Sequence, residues 1–234
     1  MRQPLKRFYS EVALAPDREA FRLTLDGKQA KTPAGRPVSI AHSRLAEAVA
    51  EEWRAQAEKI DLASMPLMRL VLSVTDHVAP RVAPAQADAL KYGETDLLCY
   101  RAEAPEKLAL RQAKAWQPYL DWAAREMNAP LAVAAGVVAI EQDKASLAAL
   151  GAALAALDPY RLLVTQALTA RFGSLVLALA VVAGRATALE AFETSRLDEI
   201  FQAEIWGADA EAERRAQVIR REVEDLARFL SLLD

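Results

Sequence analysis

Few residues in this sequence are placed to do chemistry. Glu94 and Asp96 stand two apart, a spacing that puts both carboxylates on one side of an extended chain. Such a pair could hold a metal ion or a basic partner, and a capping or loop-fixing role fits the spacing equally. Cys99 lies between Leu98 and Tyr100 with no cation directly beside it. That setting describes a small buried hydrophobe better than a nucleophile. Asp76-His77 could form an oriented acid–base pair, although a polar helix terminus explains it more simply. The chain has two histidines, His42 and His77, and one cysteine. No thiolate–imidazole zinc site can be built from these. No internal disulfide can form either, which fits a reducing compartment. The eight glycines are not spaced as a phosphate-cradling loop requires, and Ser174 lacks the elbow pattern that exposes a nucleophile. No metal or cofactor is implied.

The C-terminal region is the richer stretch. From Arg185 to Asp234 there are seven arginines, no lysine and twelve carboxylates, a net of −5 that leaves +2 for the rest of the chain. Asp209 and Glu211 sit where a new helix would start, and there they suit its positive end. Glu204, near the C-terminal end of the preceding helix, opposes that dipole, and Trp206 beside it is an exposure-prone indole. A carboxylate set against local electrostatics hints at a function. With a formal net charge of −3, no global basic field exists to hold a nucleic acid backbone.

The elements that must position these residues follow from periodicity. Phe21, Leu23 and Leu25 alternate with polar residues and run into Asp26-Gly27, a hairpin signal. Phe8 to Leu14, Gln29 to Thr32, and a short segment from Val38 to Ile40 complete an antiparallel meander that needs a cover on one face. Helix takes over at about Ser43, a candidate cap, and Met65-Pro66 opens another helix. Gly93 reads as a helix stop. Pro105 opens a long helix that Pro118 kinks or ends, and Leu131 to Ile140 fits a strand or a connection. Thr194 or Ser195 is expected to cap a helix that Gly207 ends. Ile219, Val223, Leu226, Leu230 and Leu233 form the seam of the last one. Fifty alanines favour closely packed helices. The fold class expected is α+β: a small β-rich N-terminal domain with a covering helix (1–60), then a larger helical domain (61–234). The boundary between them falls somewhere in 40–90.

Taken in order, Arg7-Phe8-Tyr9, Leu25-Asp26-Gly27-Lys28, Lys31-Thr32-Pro33, Met65 to Leu70, Tyr92 to Arg101 and Glu204 to Ala212 resemble the ATP synthase assembly chaperone family. The resemblance covers essentially the whole chain, and the ten-residue central motif is the most specific part. It implies a non-enzymatic protein that binds the unassembled α subunit of the F-type catalytic head and shields its β-facing surface until assembly. No N-terminal extension of the mitochondrial precursor type is seen, so the resemblance implies a bacterial member, or a processed one of the mitochondrial matrix. Glu94, Asp96, Glu204, Trp206, Asp209 and Glu211 are the residues expected at the partner surface. Two other readings compete. One is a small enzyme with carboxylate chemistry at Glu94 and Asp96, which should show a concave pocket there. The other is a peripheral membrane factor using Leu175 to Ala183, which needs that stretch exposed. Its length, about half of the ~20 residues that span a bilayer, predicts burial instead.

Overall fold

The computed structural model describes residues 5–136 and 138–233. The chain forms two compact units: residues up to Val82 together with those from Arg228, and residues Ala83–Ala227. A small sheet region precedes a mostly helical remainder, as the expected fold class has it.

In the first unit the central strand is β2 (Ala20–Leu25), with β1 (Val12–Asp17) on one side and β3 (Lys28–Gln29) and β4 (Ser39–Ile40) on the other. All pairings are antiparallel, with Val12 opposite Leu25 and Phe21 opposite Ile40. β1 starts later than hydrophobicity predicts. The Asp26 carboxylate takes the Ser10 and Glu11 amides at 2.9 and 2.7 Å, so these residues are held by the hairpin turn instead of the ladder. Tyr9 then turns inward, and its hydroxyl donates to the Trp53 carbonyl at 2.7 Å.

Helix α1 (Ser43–Arg54) covers β1, β2 and β4 with Leu45, Ala46, Val49 and Trp53. Its N-cap position belongs to His42, without a side-chain cap. From the same buried face Glu52, only 8% exposed, accepts the Leu67 and Met68 amides at 2.9 and 2.8 Å. These are the first free donors of α2 (Pro66–Ser73), a helix with proline in its first turn. A buried carboxylate on a helix N-terminus gains both charge-assisted hydrogen bonds and the dipole. Glu52→Ala is therefore expected to lower stability by about 3 kcal/mol, and Glu52→Gln, which keeps one acceptor, by less. Urea unfolding of the three proteins checks this.

After α2 the helix widens into a π-helical turn, Val74–Val78. There Asp76 accepts from Thr32 Oγ1 at 2.7 Å and from the Ala34 amide at 3.2 Å, and Arg36 pairs with it at 3.3 Å. Burial pushes the Asp76 carboxyl up, but these donors outweigh it and hold it below the usual range. The Asp76 carboxylate thus clamps the turn after β3, and His77 beside it is exposed.

The second unit begins within α3 (Val82–Glu94), at Ala83. Gly93 lies inside its last turn, where a Cβ would come within 3.1 Å of Leu150. Close packing, not a left-handed stop, requires glycine there. A short strand β5 (Tyr100–Arg101) pairs in parallel with β6 (Ala134–Ala135), the only strand in the described part of Leu131–Ile140, from which Val137 is excluded. Between them α4 (Glu106–Glu126) continues past Pro118 without ending there. Burial of Leu108, Trp116, Leu120 and Trp122 outweighs the ~3 kcal/mol that an interior proline costs.

The rest is helical: α5 (Lys144–Ala155), α6 (Pro159–Phe172), α7 (Leu175–Val182), α8 (Ala188–Ser195), α9 (Leu197–Trp206) and α10 (Ala210–Ser231). Asp158 caps α6, and Thr187 with Glu190 forms a capping box on α8. The α8–α9 junction falls at Arg196, so neither Thr194 nor Ser195 caps the following helix. α7 is buried along its length from Leu175 to Val181, as expected for a core segment. Among the described residues no helix is long and apolar enough to cross a membrane. On α10 the buried positions are Val223, Leu226 and Phe229, with Leu233 just beyond its end. Phe229 thus takes the place expected of Leu230.

Candidate functional site

Glu94 and Asp96 diverge. The segment joining them is not extended: α3 ends at Glu94, and a 3-10 turn, Leu97–Cys99, follows. Glu94 is exposed, whereas Asp96 is 0% exposed. The Asp96 carboxylate accepts the Leu98 amide at 3.1 Å and the Val176 amide at 3.0 Å. Leu97 N–H donates to the Gly173 carbonyl at 3.0 Å, and Gly173, with φ of 66°, ends α6. The central motif therefore clasps the α6–α7 turn, and Asp96 caps the apolar helix α7 much as Glu52 caps α2. Asp96 is thereby corrected from a partner contact to a folding residue. Burial pushes its carboxyl up to about 6 against the pull of its hydrogen bonds.

Cys99 is also fully buried, and burial, reinforced by the charge of Asp96, pushes its thiol up to about 12. A thiol held there is not a nucleophile at neutral pH. No group of three His, Cys, Asp or Glu among the described residues is arranged to hold a metal ion.

The other four expected residues do come together. Glu204 and Trp206 lie on the last turn of α9, Gly207 with φ of 87° breaks the helix, and Asp209 and Glu211 open α10. Asp209 Oδ1 accepts the Glu211 amide at 2.9 Å, and the Asp209 carbonyl accepts the Glu213 amide at 2.9 Å. Both carboxylates sit at the positive end of α10. Glu204 does not oppose its helix dipole alone: Arg111 of α4 pairs with it at 2.6 Å and holds its carboxyl below the usual range. Sequence reasoning could not find Arg111, because 93 residues separate the pair and no local spacing signals it.

Trp206 is 83% exposed. It stands beside an open groove of about 800 Å³ formed by α8, α9 and the first half of α10. Phe192, Ile200, Ala203, Ala212 and Ala216 give that groove apolar and small surfaces, and Glu199, Asp209 and Glu213 give it acidic ones. A smaller apolar cleft of about 350 Å³ lies among Trp122, Met127, Leu157 and Leu179. Neither hollow is lined by Glu94 or Asp96.

An exposed aromatic ring within a charged rim is the composition that protein contact surfaces favour. Comparison with known proteins points the same way. The family model of the ATP12 chaperone protein matches residues 6–124. Atp12 from Paracoccus denitrificans is 42% identical, with 98% of this chain and 99% of that one aligned at a TM-score of 0.95. A point variant of the same organism's Atp12p is 41% identical over 98% of both chains, also at 0.95. A candidate chaperone from Agrobacterium tumefaciens is 36% identical, covering 98% of this chain and 86% of that one, at 0.91. The chain belongs to the ATP12 chaperone family, the assembly chaperones of the ATP synthase.

Proposed function

We propose that this chaperone holds the unassembled α subunit of the F-type catalytic head, covers its β-facing surface, and yields it when the β subunit arrives. The contact surface in this reading is the α9–α10 end of the second unit, with Trp206 as anchor and Glu204, Asp209 and Glu211 as rim. Glu94, exposed at the end of α3, is an outlying member. Asp96 takes no direct part. The observation that carries the reading is the 83% exposed indole beside an open, acid-edged groove in a chain of this family.

The physics supports it. An isolated subunit of an assembling head exposes an extended apolar interface, an aggregation hazard. A chaperone must bind that surface and still let go, which favours a single aromatic anchor within a polar rim over a large dry interface. The relatives come from bacteria, which supports a bacterial cytoplasm as its place of work.

Co-expression with the α subunit alone tests the reading. The soluble yield of α should rise, α should co-purify with the chaperone, and added β should displace it. Unchanged α solubility with no co-purification would sink the partner assignment. Intact capture after charge reversal at Glu204, Asp209 and Glu211 together would sink the surface assignment.

A further inference from the structure

Arg101 ends the central motif and lies on β5, partly buried. Other partly buried arginines of the second unit have an acid beside them: Arg161 has Asp158 at 2.9 Å, Arg171 has Glu222 at 2.8 Å, and Arg196 has Glu199 at 2.8 Å. For Arg101 no carboxylate among the described residues lies within ion-pair distance. Its guanidinium carbon stands 5.2 Å from the centroid of the Trp116 ring. One Nη donates to the Gln112 carbonyl at 2.7 Å, and the other reaches Gln117 Oε1 at a long 3.4 Å.

The neighbouring groups are already engaged. Gln112 gives its amide N–H to Asp198 at 2.7 Å and accepts the Ala102 amide at 2.7 Å. Gln117 donates to Asp121 at 2.8 Å, and Trp116 donates to the Thr194 carbonyl at 2.9 Å. Asp198, the acid that this network reaches, is thus held by an amide and makes no ion pair with Arg101.

A guanidinium has five N–H donors in a planar fork, and only part of that fork is used here. Withdrawing such a charge from water without an anion is costly, and burial works against its protonated form. The side chain is nonetheless fixed in place, with an aromatic face behind it, a carbonyl holding one edge, and the Arg101 backbone carbonyl tied to the Gly136 amide at 2.8 Å. A rigid, partly dry fork with free donors is matched by a carboxylate, which it can grip bidentately. Arginines set in this way are common energetic anchors at interfaces.

We propose that Arg101 receives a carboxylate of the α subunit, an Asp or Glu side chain, with Trp116 backing the guanidinium. This rests on the chaperone reading above. It adds a second anchor of opposite sign to the acidic rim near Trp206, and so a charge pattern that a wrong partner would fail to match.

The test measures affinity for the purified α subunit and thermal midpoint for wild type, Arg101→Lys and Arg101→Gln. Lysine keeps the charge and the aromatic contact but loses the fork. Both variants should bind about tenfold more weakly or worse, with midpoints close to wild type. One acid on the α subunit, changed to its amide, should weaken wild-type binding to a similar degree and leave Arg101→Gln binding unchanged. Full affinity in Arg101→Lys would overturn the proposal. So would a lowered midpoint and weaker binding in Arg101→Gln with no coupling to any α-subunit acid, because Arg101 would then be an internal clip between β5 and α4. If wild type retains α and the variants retain it equally, only this inference falls. If wild type itself fails to retain α, the chaperone reading falls and takes this inference with it.

Discussion

Asp96→Ala is expected to destabilise the protein by roughly 2–6 kcal/mol, the cost of leaving two buried donors unsatisfied at about 1–3 kcal/mol each. Two amides, those of Leu98 and Val176, would lose their acceptor inside the core, and the N-terminus of α7 would lose its counter-charge. Asp96→Asn should behave differently, and its pH dependence separates charge from hydrogen bonding. Burial raises the folded-state carboxyl from 3.8 to about 6, so the fold favours the protonated acid. The resulting stabilisation is fully present below about pH 4 and is lost as the pH rises through 6. A shift of this size corresponds to about 3 kcal/mol. The stability of wild type minus that of Asp96→Asn should therefore fall by about that amount between pH 4 and pH 7. Urea titrations at four pH values would show it, and a difference that does not change with pH would contradict the account.

Trp206→Ala should leave stability within about 0.5 kcal/mol of wild type, because the indole is 83% exposed and surface truncations of this kind cost little. Binding of the α subunit should weaken by roughly 30-fold or more if the indole is the anchor. Trp206→Phe should fall between the two. Raising the salt concentration should slow association by screening the Asp209, Glu211 and Glu204 rim, with little effect on dissociation. Biosensor kinetics at two ionic strengths read all of these at once. Unchanged affinity in Trp206→Ala would move the contact surface elsewhere.

These two residues also mark how far local sequence reaches. Periodicity and turn chemistry account for the meander around Asp26-Gly27, the helix starts at Pro66 and Asp158, and the burial of Leu175 to Val181, because each depends on neighbours in the chain. Trp206 and its acidic companions are legible for the same reason: a helix break at Gly207 brings them together. Asp96 is not the companion of Glu94 that its spacing suggests, since Glu94 still belongs to a helix and the chain turns at Thr95, so the extended geometry that the spacing assumes never forms. One of its partners, Val176, is 80 residues away. The hint in Glu204 has an equally remote cause in Arg111. At Pro118 and Leu230 packing overrides local preference in another way: the helix does not end at the proline, and Phe229 takes the buried place.

The membership of Arg228 and the residues after it in the first unit has a consequence for biosynthesis. A ribosome builds the chain from the N-terminus, so the sheet and its covering helix emerge early, but Phe229 and Leu233, both buried, emerge after the entire second unit. Domains fold as units while synthesis proceeds, and here the one begun first is finished last. The first unit therefore stays incomplete through the translation of Ala83–Ala227. A member of a chaperone family thus passes through an unfinished state of its own during synthesis.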